Sequence, residues 1–307
     1  MGLRIRTNVQ SLRTQRFMQS ATQEIGKATT RLSSGHRINR AGDDAAGFAI
    51  AGVLSADVRS LAQARRNAND GISLVEVAEG GLAEVNNIMI RLRELSIQSA
   101  SDTIGNRERQ YLNQEFFQLK DEIERIALST EFNGTRLLTG ESELEDELAE
   151  RHNASPLEVQ IGKDYYLDAD SLDQPNPINI IRVDLRQMNA LTEGDGSLGL
   201  GKPNSDEGAR IDAKEQAQLA IAKIDEAMEK VARYRSNLGA VQNRLEKTDR
   251  AIAIHTENLQ TARSRIKDTD FASESANLTQ WNILQRAASS VLSQANAQPQ
   301  IALELLK

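Results

Sequence analysis

Residues 217–266 read AQLAIAKIDEAMEKVARYRSNLGAVQNRLEKTDRAIAIHTENLQTARSRI. Every seventh position from Ala217 is apolar, with Ile224, Val231, Leu238, Leu245, Ile252, Leu259 and Ile266 following in turn. A stripe with this period stays on one side of a slightly under-wound helix, so the segment reads as one coiled-coil-like helix. Ile221 and Met228 supply a second row at the four-residue step, and that row turns polar at Arg235, Gln242 and Thr256. The helix is expected from about 209 to 267, ~90 Å long at 1.5 Å per residue.

A seam this long needs a partner, and the first half of the chain holds two. Leu54, Val58, Leu61, Ala68, Ile72, Val75, Leu82, Val85, Met89, Leu92 and Leu95 keep a spacing near 3.5, interrupted by Arg65 and Glu79. After a break at 101–106, Leu112, Phe116, Leu119, Ile123 and Ile126 repeat the pattern. Helices are therefore expected at about 44–100 and 105–130, packed with the third as a long antiparallel bundle, a coiled-coil-like rod made by the two arms of the chain. Prolines support the division, because all five, Pro156, Pro175, Pro177, Pro203 and Pro299, avoid the two arms at 1–155 and 204–298. Between the arms, Leu157–Gly162 alternates apolar and polar and Ile178–Leu185 is rich in β-formers, so a small β subdomain is expected within about 140–205. The fold class is mainly α with that β insert.

The extreme ends, 1–42 and 268–307, carry apolar residues at helical spacing: Val9, Leu12, Met18, Ile25 and Leu32, then Phe271, Leu278, Leu284, Val291 and Leu292. Two such helices with Ala and Ser between their apolar positions bury too little to offset chain entropy by themselves. They are expected to form a discontinuous terminal domain, apart from a core domain at 43–267, and to complete their packing against other copies of the chain.

Composition narrows the function. Aromatic residues are only 4% and cysteine is absent, so disulfides, thiolate metal sites and cysteine nucleophiles are excluded. Met1–Asn8 is not followed by the apolar run of a cleaved signal peptide, and no stretch approaches ~18 continuous apolar residues. Neither nucleic-acid binding nor membrane insertion is expected. Net charge is −7, concentrated in 141–212, where 17 acidic residues face 6 basic ones. The three histidines, His36, His152 and His255, form no metal-binding pair on a helix. Gly194–Gly199 matches a dinucleotide fingerprint by letter, but Gly201 and Pro203 follow it where a helix is required. Asp168 and Asp170 open like a calcium loop, yet Asp173 stands where its glycine belongs. No catalytic residue, cofactor or metal site is expected.

Arg31-Leu32-Ser33-Ser34-Gly35 followed by Ala41-Gly42-Asp43-Asp44-Ala45-Ala46-Gly47 spells a helix stop, a connection and a capped restart. These residues resemble the N-terminal signature of bacterial flagellins. Asn67–Ser73, Arg93-Glu94-Leu95, Gln98-Ser99-Ala100 and Phe132-Asn133-Gly134 continue the likeness in order. Asn258-Leu259, Ala262–Ile266, Asp268-Thr269-Asp270 and Ser290–Asn296 resemble the C-terminal signature. The resemblance covers roughly 1–140 and 209–307, and it implies a minimal flagellin with terminal and core domains and no outer ones. It also implies an extracellular filament subunit, exported through the flagellar type III pathway without a cleaved signal. Implied partners are other copies of the chain, an export chaperone, cap and junction proteins, and a host Toll-like receptor. By position, Arg91, Leu95 and Glu115 match the central receptor contacts. The alternative carried with this reading is a hook-filament junction protein with flagellin-like ends.

Overall fold

The computed structural model describes residues 7–140, 156–164, 178–194, 196–202 and 208–304. The acidic stretch 141–151, Asp168 to Asp173 and Pro203 lie outside the described residues. Among the described residues, five helices and four short strands follow in order: α1 Val9–Ser34, α2 Ala45–Ser99, α3 Asn106–Ser129, β1 Glu131–Phe132, β2 Thr135–Arg136, β3 Leu157–Gln160, β4 Ile180–Val183, α4 Lys214–Lys267 and α5 Phe271–Glu304. The expected helices at 44–100 and 105–130 form with ends shifted by a residue. The third begins at Lys214 instead of about 209. Residues 208–211 are not helical there: Ala209 donates to the Leu200 carbonyl and Ile211 to the Asn113 side chain, which fixes that stretch before the helix starts.

The chain packs as two compact units, Met1–Val58 with Glu257–Lys307, and Arg59–Thr256. In the second unit α2, α3 and α4 share one core. The heptad row of α4 is buried at Ala217, Ile224, Val231, Leu238, Leu245 and Ile252. Its companion row differs from the expectation. Ala220, Ala227 and Tyr234 are buried, while Ile221 and Met228 lie half-buried at the edge. A three-residue step with alanine lets the backbones approach closely, so the longer side chains are displaced to the rim.

The interruptions in the α2 seam are ion pairs across the antiparallel helices. Arg65 Nε lies 2.8 Å from Asp249 of α4, Glu79 lies 3.6 Å from Arg235, and Arg93 lies 2.7 Å from Asp225. The falling α4 numbers against rising α2 numbers show the antiparallel register. Exposed pairs of this kind contribute ~0–1 kcal/mol each, so they set register more than stability.

β1 and β2 form a two-residue hairpin in which Asn133 (φ 50°) and Gly134 (φ 78°) both take the left-handed conformation of a type I′ turn. It precedes the expected β region. Within that region β3 pairs with β4 antiparallel, Leu157 opposite Val183; Ile181 and Val183 join the core, and Ile180 is buried as well.

α2 also qualifies as apolar enough to cross a membrane by length and composition, with an 18-residue window of mean hydropathy 1.3. Counting uninterrupted apolar residues overlooks it, because small and charged residues are interspersed.

Lys120 of α3 is fully buried, donating to the carbonyls of Lys202 at 3.2 Å and Ala209 at 3.3 Å. Burial, and next the charge of Lys223, push its pKa down to about 8 from 10.5, against the pull of Asp121, Glu124 and Glu193. The folded value lies below the unfolded one, so between these two pH values the unfolded chain binds the extra proton and stability rises with pH. Below about 8 the buried ammonium carries its full cost, whereas the neutral amine still donates to both carbonyls. Thermal melts at about pH 7.5 and 9.5 are expected to shift in favour of the wild type relative to Lys120→Met; a pH-independent difference rules this out.

Candidate self-assembly surfaces

α1 and α5 pair antiparallel in the first unit. The Asn8 side chain caps α1 by accepting from Ser11 N–H at 3.0 Å, and Gly35 ends it in the left-handed conformation at φ 71°, its N–H bonded to the Arg31 carbonyl. Asp270 caps α5 by accepting from Ala272 N–H at 3.0 Å. Across the pair, Asn8 donates to the Ala295 carbonyl, Ser11 bonds Asn296, Gln285 bonds Thr22, and Arg31 lies 3.5 Å from Glu274.

What this pair buries is mostly small. Ala21, Ala28, Ala288 and Ala295 are buried along with Ser11 and Glu274. Of the residues expected to drive association, Ile25, Leu32, Leu278, Leu284 and Leu292 are half-buried. Val9, Leu12, Phe271 and Val291 are 46%, 54%, 63% and 50% exposed. Phe17 and Ile283 join them on the surface, as do Phe48, Ile50 and Val53 at the start of α2. These five lie outside the apolar stripes read from the sequence. Ser275, Ala276, Thr279, Gln280, Ile283 and Leu284 line an open depression on α5.

The two connections of the unit are tied together. Arg37 N–H donates to the Lys267 carbonyl at 2.7 Å, Thr269 N–H to the Gly35 carbonyl at 3.0 Å, and His36 meets Asp268 at 3.1 Å. Asp43 accepts from the N–H groups of Arg40 and Asn39, which hold its carboxyl below the ordinary carboxylate range. Charge is also uneven here. Taken as one block, residues 1–140 are nearly neutral, but 1–42 contain eight basic residues and one acidic.

In the second unit, Arg91 and Glu115 are exposed and bonded to each other, Nη2 to Oε1 at 2.8 Å, with Glu94 adding a contact at 3.2 Å. These bonds, Glu115 first, hold the guanidinium in its protonated form. Leu95 is fully buried among the core residues of α2. Of the three positions singled out by resemblance, Arg91 and Glu115 are thus surface residues, while Leu95 packs in the core with no exposed side chain.

Long paired helices whose end segments leave apolar faces uncovered define a class, that of helical structural proteins. The model for the bacterial flagellin N-terminal helical region matches residues 5–143, and that for the C-terminal helical region matches 221–306. A flagellin of Halalkalibacterium halodurans is 39% identical over 303 residues, covering 99% of each chain. The flagellar filament 33 kDa core protein of Treponema phagedenis is 37% identical with the same coverage. In fold, the chain is similar to a flagellar hook-associated protein structure from Vibrio parahaemolyticus, with a TM-score of 0.53 at 14% identity over 74% of this chain and 100% of that one. The chain belongs to the bacterial flagellin family.

Proposed function

We propose that this chain is the structural subunit of a flagellar filament, polymerising through its paired ends, 1–42 and 268–307. One observation carries the reading: Val9, Leu12, Phe17, Phe271, Ile283 and Val291 stand exposed on a helix pair whose interior is mostly alanine and serine. Apolar groups left in water on a thinly packed pair gain burial when further copies surround them. Contacts between unlike faces that do not close on themselves generate a helical filament. By family, such a subunit works outside the cell, reaching its place through the flagellar type III pathway with an export chaperone and meeting cap and junction proteins. Purified chain added to filament seeds is expected to grow long filaments visible by electron microscopy. Growth limited to a few subunits sinks the reading and favours a junction protein.

The host Toll-like receptor is a further partner under this proposal, engaged at Arg91 and Glu115. Arg91→Ala with Glu115→Ala is expected to lower activation of receptor-reporter cells by monomer at least about tenfold. Loss of an exposed ion pair costs only ~0–1 kcal/mol, so the melting temperature stays near wild type. Full reporter activity in the double variant removes this partner site.

A further inference from the structure

The terminal unit carries two exposed stripes with the same helical spacing and opposite charge. On α1, Val9, Leu12, Arg13 and Arg16 recur at i, i+3, i+4 and i+7, the spacing that lays four side chains along one face. All four are exposed, and among the described residues neither arginine makes an ion pair or hydrogen bond. On the first turns of α2, Ala46, Ala49, Ile50 and Val53 repeat the spacing and are likewise exposed, Ile50 by 52% and Val53 by 62%. Acids bound this second stripe: Asp43 and Asp44 precede it and Asp57 lies one turn beyond Val53. No basic residue occurs from 43 to 58, and no acidic residue occurs before Glu24.

Within one chain the stripes are held apart. Arg16 lies eighteen residues before the end of α1, ~27 Å of helix. The connection leading to α2 is pinned at that far end through Arg37 and Lys267. A second copy of the chain is the partner whose charge and apolar spacing fit each stripe. We propose that the Val9–Arg16 stripe of one copy docks on the Ala46–Val53 stripe of the next, with Arg13 and Arg16 set against the acids that bound it. Apolar side chains then leave water together, and the unpaired guanidiniums gain carboxylates. The contact joins two different faces, so it repeats from copy to copy, as an open helix where the rotation does not close. The pairing rests on the filament reading and adds to it which two faces meet.

Because the chain has no cysteine, an engineered pair reports the contact cleanly. Leu12→Cys and Val53→Cys are placed together in the full chain, elongated on wild-type seeds, and oxidised with diamide. The filaments are expected to yield a ladder of covalent multimers absent from monomer at the same concentration. Filaments that elongate normally without a ladder overturn the pairing and leave the filament reading standing; wild-type chain that never elongates on seeds overturns both. Should the cysteine pair impair folding, charge reversal decides. Arg13→Glu with Arg16→Glu is expected to slow elongation at least tenfold, with Asp57→Arg in the same chain restoring most of the rate. Wild-type elongation by the reversed chain, or no restoration, overturns the proposal. So does a result in which Ile50→Asp with Val53→Asp abolishes co-sedimentation with phosphatidylglycerol vesicles yet elongates normally, which assigns the α2 stripe to lipid.

Discussion

Removal of residues 268–307 is expected to abolish seeded elongation outright while leaving the unit at 59–256 folded. The deletion takes away all of α5, the helix that packs along α1, where Ala21 and Ala28 are buried. A lone α1 of 26 residues, containing Gly26 and several β-branched threonines, is a poor helix in water. The bonds that join the two connections, from Thr269 N–H to the Gly35 carbonyl and from His36 to Asp268, go with it. The larger unit keeps its own core, including Leu82, Met89, Leu92, Phe116, Ile224 and Leu238, all fully buried and none of them in the deleted stretch. Its main melting transition is therefore expected to move by no more than about 2 °C, since distant sites contribute nearly independently. Electron microscopy after seeding, paired with calorimetry, checks both halves. Filaments from the truncated chain contradict assembly through the paired ends; collapse of the main transition contradicts the independence of the larger core.

How far the fold could be read ahead of the structure depended on the period of the signal. The α4 heptads are long enough that Ala217 through Ile252 announce a buried row, and that row is buried. Beyond it the stripe weakens in fact as well as in pattern, with Leu259 and Ile266 only half-buried. The second row was misplaced because hydrophobicity alone favours Ile221 and Met228 over Ala220 and Ala227. Helices that approach closely select for small volume at the contact, and volume carries no hydrophobic signal. Arg65 and Glu79 looked like flaws in a seam, but each has its opposite charge on α4, a relation that only the antiparallel register reveals. The β1–β2 hairpin sits on Asn133-Gly134, a strong turn dipeptide, but its strands of two residues each are too short to show alternation. The surface proposed for assembly was legible only in part. The stripes read from the sequence mixed half-buried residues such as Ile25 and Leu284 with exposed ones such as Val9 and Phe271, and left out Phe17, Phe48, Ile50, Val53 and Ile283. Averaging charge over 140 residues hid the basic character of the first 42.

Phe116→Ala is expected to destabilise the larger unit by about 3–5 kcal/mol, the range for emptying a buried aromatic site. Phe116 is fully buried on α3 and belongs to the core shared with α2 and α4. The chain has six phenylalanines, one tryptophan and four tyrosines, so few other side chains can fill such a volume. The surroundings cannot collapse into the space easily. Lys120, one turn along α3, is fixed by the carbonyls of Lys202 and Ala209, and α2 is held beside α3 by Arg109, whose guanidinium donates to the Ser99 carbonyl at 2.9 Å. A residual cavity therefore persists, and cavity volume adds to the lost transfer energy. For a unit of this size, each kcal/mol lowers the melting temperature by about 2–4 °C, so a fall of roughly 6–20 °C is expected. Phe116→Leu, which keeps most of the volume, is expected to lose less than half as much. Assembly surfaces on α1 and α5 are untouched, so at 25 °C the variant still elongates on seeds, and its filaments soften at lower temperature. Calorimetry of monomer for the three chains gives the answer: equal melting of Phe116→Ala and wild type means that α3 contributes little to this core, and the bundle reduces to α2 and α4.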